Sequence, residues 1–246
     1  MMTTAQSVDE PVWRIPDRLR LELLAHLSVN GTSTKTMSYE EFLDWADEDT
    51  LAEWVEGKVV MSSPAGLRHQ DLVTFLGGVL AGFSRLHDLG RIVTAPFQMK
   101  LPRSGREPDV LFVANAHLSR LHPTFLDGPA DLVVEVLSPE SIGRDRGDKF
   151  FEYQAAALPE YWLIDPITRR AEFYQLDTQG VYTLVTPDAN GIYRSSTLAD
   201  FWLDIAWLWL DPLPRIEDAL LKIVGEAYAH QLIQSLQRHG YLPSDQ

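Results

Sequence analysis

Between Leu67 and His87 the apolar residues Leu72, Phe75, Leu76, Val79, Leu80 and Phe83 recur at three- and four-residue intervals. That spacing lines one face of a helix and predicts a core-facing helix, the longest in the first half of the chain. Upstream, Ser38 is followed three residues later by Glu41 and then by Leu43 and Trp45, a capping-box pattern that predicts a helix over 38–47. Ala52-Glu53-Trp54-Val55 and Lys58-Val59-Val60-Met61 flank Glu56-Gly57, so two apolar runs around a two-residue glycine turn predict a hairpin, ended by Pro64. Strand patterns follow over 91–101, 108–113 and 131–137, punctuated by Gly, Pro and Ser. A helix over 144–158, a buried strand over 161–165, a hairpin from 170–176 and 181–186, and an amphipathic helix from Ile216 to Arg238 complete the series. This order describes an α/β sandwich, a mixed central β-sheet flanked by helices.

Residues 1–12 are polar and without period, and Pro16-Asp17 then opens a short amphipathic segment, Arg18 to Leu27. The chain divides on this reading into an N-terminal extension, 1–37, one α/β domain, 38–212, and a C-terminal helix and tail, 213–246. A length of 246 residues is enough to bury one substantial core. No apolar stretch approaches the roughly 20 residues that a membrane span requires. The start lacks the basic, apolar and small-residue pattern of an export signal, and cysteine is absent. The expectation is a cytoplasmic protein with no disulfides and no membrane partner.

The formal net charge of −14 argues against a protein that coats nucleic acid through a broad basic face. The window 100–149 is different: seven basic residues (Lys100, Arg103, Arg106, Arg120, Arg144, Arg146, Lys149) stand against eight acidic ones, a net of −1. A locally neutral site can still meet phosphate through a metal ion. Two acids carry the candidate chemistry. Asp109 opens the run Asp109-Val110-Leu111-Phe112-Val113, and Glu135 lies inside Leu132-Val133-Val134-Glu135-Val136-Leu137. Burying an ionised carboxylate costs several kcal/mol unless a cation or hydrogen-bond donors answer it, so two such groups on neighbouring strands point to a divalent metal site. Hard oxygen ligands on rigid strands suit magnesium. The plainer account makes Asp109 a strand-start residue after Pro108 and gives Glu135 an arginine partner.

From about Ser38 to Leu210 the chain resembles the restriction-endonuclease-like family often called Uma-two, within the PD-(D/E)XK nuclease superfamily. The resemblance rests on Glu53-Trp54-Val55-Glu56-Gly57-Lys58 through Ser63-Pro64, on His69, on Pro108-Asp109-Val110, on Val134-Glu135-Val136-Leu137-Ser138-Pro139-Glu140-Ser141, on Arg144-Asp145 through Lys149 and Tyr153, and on Pro159-Glu160-Tyr161-Trp162-Leu163-Ile164-Asp165-Pro166. It implies a restriction-endonuclease-like PD-(D/E)XK core and a metal-dependent endonuclease that hydrolyses phosphodiester bonds. Asp109 and Glu135 would hold Mg2+ or Mn2+, and a lysine would orient or activate water. The superfamily lysine stands two residues after the second acid, a position filled here by Leu137. Lys149 is the candidate in its place, because the helix after the Glu135 strand can return a long side chain to the carboxylate.

The resemblance also brings Glu53 into the catalytic group, as a further ligand or water contact, and His69 as a contact to substrate or to metal-bound water. Arg144 and Arg146 are candidates for binding phosphate, since guanidinium groups recognise oxyanions bidentately. Each has a plainer reading: Lys149 paired with Asp145 or Asp148 on a solvated helix, Glu53 on an exposed hairpin, His69 capping its helix or facing solvent, and Arg144 and Arg146 in a charge-balanced helix entry. Tyr153, Tyr161 and Trp162 read as core packing rather than base stacking. The expected partner is nucleic acid, DNA in the first instance, and the apolar face of the last helix gives a possible homodimer. Two alternatives stay open: a catalytically inactive nuclease-fold binding or scaffold module, and a metal-dependent phosphoesterase acting on nucleotides or repair intermediates.

Overall fold

The computed structural model describes residues 36–46, 52–61, 65–139 and 141–243. The amphipathic segment Arg18 to Leu27, Ser63-Pro64 and Glu140 lie outside the described residues. Helix α1 (Tyr39–Trp45) begins where the capping box places it: Ser38 Oγ accepts from Glu41 N at 3.1 Å, and Ser38 N donates to Glu41 Oε2 at 2.7 Å. Strands β1 (Ala52–Val55) and β2 (Lys58–Met61) form the expected antiparallel hairpin. Its turn residues Glu56 and Gly57 have φ of 49° and 83°, the double left-handed geometry of a two-residue hairpin loop, which Gly57 adopts without steric cost. Helix α2 (Leu67–Leu86) buries Leu72, Phe75, Leu76, Val79, Leu80 and Phe83, the stripe that its sequence spacing marks.

The remaining strands are β3 (Gly90–Thr94), β4 (Gln98–Leu101), β5 (Ser104–Arg106), β6 (Val110–Ala114), β7 (Phe125–Asp127), β8 (Leu132–Val136), β9 (Glu160–Asp165), β10 (Arg170–Leu176), β11 (Tyr182–Val185), β12 (Ile192–Arg194) and β13 (Trp202–Asp204). The fold is the expected mixed α/β class, but the strands divide among three sheets instead of one. A six-stranded sheet runs β11-β10-β9-β8-β6-β3, a five-stranded sheet β2-β1-β5-β4-β7, and β12 pairs with β13. In the larger sheet β8 and β9 are parallel and the other neighbours antiparallel. The predicted strand over 91–101 is two strands in different sheets. The break falls at Ala95-Pro96, where proline has no N–H to continue a ladder.

Alternation along the central strands sorts the core into two layers. Val110, Phe112, Leu132, Val134, Trp162 and Ile164 face α2 and the C-terminal segments. Leu111, Val113, Val133, Tyr161 and Leu163 face the other way, against Met99 and Leu101 of β4, Leu126 of β7 and helix α3 (Lys149–Ala155). By the same alternation Asp109 and Glu135 belong to the second layer, between the two large sheets. The predicted helix over 144–158 is a π-turn over Arg144–Asp148 that passes into α3. The predicted C-terminal helix is broken by Gly225, φ 70°, into α4 (Ile216–Val224) and α5 (Glu226–Arg238). Helix α4 lies on α2, with Ile216 and Leu220 seated over Gly78 and Gly82, where a Cβ would collide with them. Helix α5 buries no side chain.

Candidate active site

The register of β6 and β8 pairs Val110 with Val134 and Leu111 with Val133, so the antiparallel ladder extended by one step sets Asp109 opposite Glu135. Directly opposed residues of antiparallel strands carry their side chains on one face, with Cβ atoms about 4.5–5.5 Å apart. Asp109 is tied down on one side: its Oδ2 accepts from Val136 N at 2.7 Å and lies 3.3 Å from His69 Nε2, near the start of α2. Glu135 is tied through Oε1, which accepts from Lys149 Nζ at 2.9 Å and Tyr153 OH at 3.1 Å, both on α3. Each acid keeps its other oxygen without a donor among the described residues.

Glu53 arrives from the five-stranded sheet. Its Oε1 lies 3.1 Å from Lys149 Nζ and accepts from Glu107 N at 3.2 Å, while Oε2 accepts from Arg106 Nη1 at 3.2 Å. Asp145, on the π-turn, places Oδ1 3.1 Å from the same ammonium, yet that oxygen has no donor in hydrogen-bonding geometry. Arg106 is held in turn by Glu152, whose Oε2 is 2.8 Å from Nε and 2.7 Å from Nη2, and Ser104 Oγ donates to Oε1 of the same carboxylate. Four elements thus converge, the ends of β6 and β8, the β1 hairpin, and the turn entering α3. The side chains of Glu53, Glu135, Asp145 and Lys149 are at most 6% exposed, whereas Asp109 and His69 keep 18% and 14%. The site opens to solvent on the Asp109 and His69 side.

The electrostatics follow from this enclosure. Burial pushes the Glu135 carboxyl well above the usual carboxylate range; Lys149 pulls it down, and Asp145, Asp109 and Glu53 push it up again. Burial also acts to raise Glu53, but Lys149, Arg106 and the Glu107 N–H outweigh it and hold Glu53 below its ordinary value. Lys149 stays above its ordinary value, since the attraction of Glu135, Glu53 and Asp145 exceeds the opposing effect of burial. His69 is also raised: Asp109 outweighs desolvation. Glu107, buried near Glu53, is pushed up to about 7.

The structure thus brings together Asp109, Glu135, Lys149, Glu53 and His69. Neither predicted guanidinium is part of that cluster. Arg146 Nη1 is bound by both oxygens of Glu172, at 2.5 and 2.6 Å, and Nη2 lies 3.6 Å from Asp165. Arg144 is half-buried beside Asp145, and its Nε has no partner among the described residues. Asp145, Arg106, Glu107 and Glu152 were not marked as site residues by sequence. The four-residue spacing from Asp145 to Lys149 carried a signal, read there as an ordinary helix pair. The roles of Arg106 and Glu152 depend on a strand, β5, that has no clear pattern of its own.

Would these residues suit a divalent cation? Among the described residues no group of three or more His, Asp or Glu side chains is arranged to hold a metal ion. Magnesium, however, is commonly held by one or two carboxylates with waters and substrate phosphate completing its shell, instead of by an all-protein cage. Two opposed carboxylates, each with a free oxygen, meet that requirement. The charge balance points the same way, because among the described residues the five acids Glu53, Asp109, Glu135, Asp145 and Glu152 outnumber Lys149, Arg106 and His69. The donor set fits.

Among curated proteins none matches this chain. A solved structure, described as that of "a putative nuclease belonging to DUF820" from Anabaena variabilis, is similar at a TM-score of 0.60, with 18% sequence identity over 70% of this chain and 97% of that one. At that identity the likeness establishes the shared fold. No helix among the described residues is long and apolar enough to cross a membrane. Residues 39–206, more than half of the chain and the whole of the site just described, match the Uma2 family, whose description is "Putative restriction endonuclease", and the chain belongs to that family.

Proposed function

We propose that the protein is an endonuclease that hydrolyses phosphodiester bonds in DNA with Mg2+ or Mn2+ held by Asp109 and Glu135. The observation that carries this reading is the opposed pair itself, two register-matched carboxylates with free oxygens in a pocket where acids outnumber cations. Membership of a restriction-endonuclease family supports nucleic acid as the substrate class. Bound there, the metal would supply Lewis acidity at the phosphate and a lowered pKa for water.

The chain's own residues prepare the site. Asp109 is fixed by the Val136 N–H and keeps one edge towards solvent, where a phosphate can approach. Glu53, kept ionised by Lys149, Arg106 and the Glu107 N–H, stands on the enclosed side as a hydrogen-bond acceptor for water. His69, cationic more readily than a free imidazole, sits at the open mouth and can meet a phosphate oxygen. Since Arg146 already has Glu172 and Asp165, Arg144 is the arginine available to a flanking phosphate. The possible dimer rests on α5, whose Leu232, Ile233 and Leu236 are exposed; size-exclusion chromatography with light scattering tests it.

The activity test is incubation of supercoiled DNA, linear DNA and RNA with the protein and Mg2+ or Mn2+ over a range of salt. Cleavage of DNA that is lost in Asp109→Ala supports the proposal. Intact substrates under all conditions, with a control nuclease active, overturn it in favour of the scaffold alternative. In that case calorimetry would also find no Asp109-dependent metal binding.

A further inference from the structure

Lys149 is the candidate to replace the superfamily lysine whose position Leu137 fills, but its surroundings leave little for acting on water or phosphate. Glu135 Oε1 accepts a hydrogen bond from Nζ at 2.9 Å, Glu53 Oε1 and Asp145 Oδ1 stand 3.1 Å away as ion-pair partners, and the side chain is 6% exposed. Asp109 and His69, where the site meets solvent, are not among its partners. Asp145 is the member of this trio with no other evident duty. It is 2% exposed at the side chain, and the π-turn Arg144–Asp148 delivers it to the ammonium four residues before Lys149 itself. Tyr161 OH fixes that turn by donating to the Asp145 carbonyl at 3.1 Å. Turns of this kind recur at functional sites.

We propose that Asp145 is a positioning residue of the hydrolytic site: it anchors the Lys149 ammonium, and Lys149 acts by holding Glu53 and Glu135 in place and balancing their charge, without touching the scissile phosphate. The inference rests on the reading of Asp109 and Glu135 as metal ligands, and it assigns the enclosed half of the site to electrostatic scaffolding. It also makes a distinctive statement about charge. If Lys149 only balances carboxylates, deleting one carboxylate along with it should restore much of what its loss removes. If Lys149 contacts the reacting atoms, no such deletion can replace the missing N–H.

The experiment compares the wild-type chain with Asp145→Asn, Lys149→Met, Lys149→Arg and the double variants Asp145→Asn/Lys149→Met and Asp145→Asn/Lys149→Arg. Thermal melting in EDTA is one readout, and the kcat and KM of DNA cleavage with Mn2+ the other. In EDTA, Lys149→Met should melt well below the wild type, and Asp145→Asn/Lys149→Met should melt above Lys149→Met. In cleavage, Lys149→Met should lose about 100-fold or more in kcat, with KM little changed, and Asp145→Asn/Lys149→Met should recover about tenfold of that loss. Lys149→Arg keeps the charge and tests the same point should Lys149→Met fail to fold: it should retain measurable cleavage and lose it further on addition of Asp145→Asn, which unanchors the cation. An Asp145→Asn/Lys149→Met variant that melts no higher and cleaves no faster than Lys149→Met overturns the proposal. If the wild type cleaves nothing, the metal-nuclease reading fails by itself, and the melting cycle still decides whether Asp145 and Lys149 are coupled.

Discussion

Replacing Glu135 by glutamine in the metal-free protein should raise its stability, although Glu135 is salt-bridged. Glu135 is buried and its carboxyl is held well above the usual range, first by burial and then by Asp145, Asp109 and Glu53, against the pull of Lys149. A carboxyl whose folded pKa exceeds its unfolded value penalises folding once pH rises above the unfolded value, about 4.3, and most strongly above the folded one. Glutamine removes that penalty, keeps an oxygen that accepts from Lys149 and Tyr153, and leaves Lys149 with Glu53 and Asp145. Weakening one charge-assisted hydrogen bond costs about 1.5–3 kcal/mol, while the effective penalty for an enclosed ion is several kcal/mol. The balance favours glutamine by about 1–2 kcal/mol, or a rise in Tm of about 2–8 °C for a chain of this size. Thermal melting in EDTA from pH 5 to pH 8 measures it, and the advantage of the variant should grow with pH. With Mn2+ the order should reverse, since a ligand at 100 times its Kd stabilises the wild type by about 2.7 kcal/mol and the variant has lost a ligand. A variant that melts lower than the wild type in EDTA at pH 8 would refute the claim that the pocket holds surplus negative charge.

Glu160 makes the opposite case. Its carboxylate is buried and accepts from Trp162 Nε1, Tyr193 OH, Ser195 Oγ, and the N–H groups of Ser196 and Thr197, so Glu160→Gln sets an amide NH2 against donors and should cost about 2–4 kcal/mol in urea unfolding. His69 should titrate by NMR above the ordinary imidazole value of about 6.5, because Asp109 outweighs burial. In Asp109→Asn its midpoint should fall, and an unchanged midpoint would dissolve the pair. The stability that His69 gains from Asp109 is fully present below about pH 6.5 and is lost as pH rises through its folded pKa. Gly90→Ala should destabilise by more than about 2 kcal/mol in thermal melts, since its φ of 155° goes with a Cβ position already occupied by the Val113 carbonyl.

Much of this architecture can be read from the chain where one local signal suffices. The α2 stripe, the Ser38 and Glu41 box and the Glu56-Gly57 turn each specify their element without help from distant residues. Asp109 and Glu135 were legible because a charged residue in a β-branched run is conspicuous wherever the run ends up. The division into three sheets was not, because the break at Ala95-Pro96 and the three-residue strands β5 and β7 gain their meaning from partners far along the chain. For the same reason Arg106 and Glu152 passed as ordinary charges: their duty is to hold Glu53, which is visible only once β5 pairs with β1. Lys149 meets Glu135 and has Asp145 four residues before it, both within reach of local reasoning, whereas its third carboxylate, Glu53, arrives from the other large sheet and shows only once that sheet is formed.

The most direct measurement is a crystal of the wild-type protein soaked in Mn2+ and measured at the manganese absorption edge. The account predicts an anomalous peak within coordinating distance of one Asp109 oxygen and one Glu135 oxygen, lost in Asp109→Asn. An occupied manganese site elsewhere, or no peak between these two carboxylates at saturating metal, would contradict it.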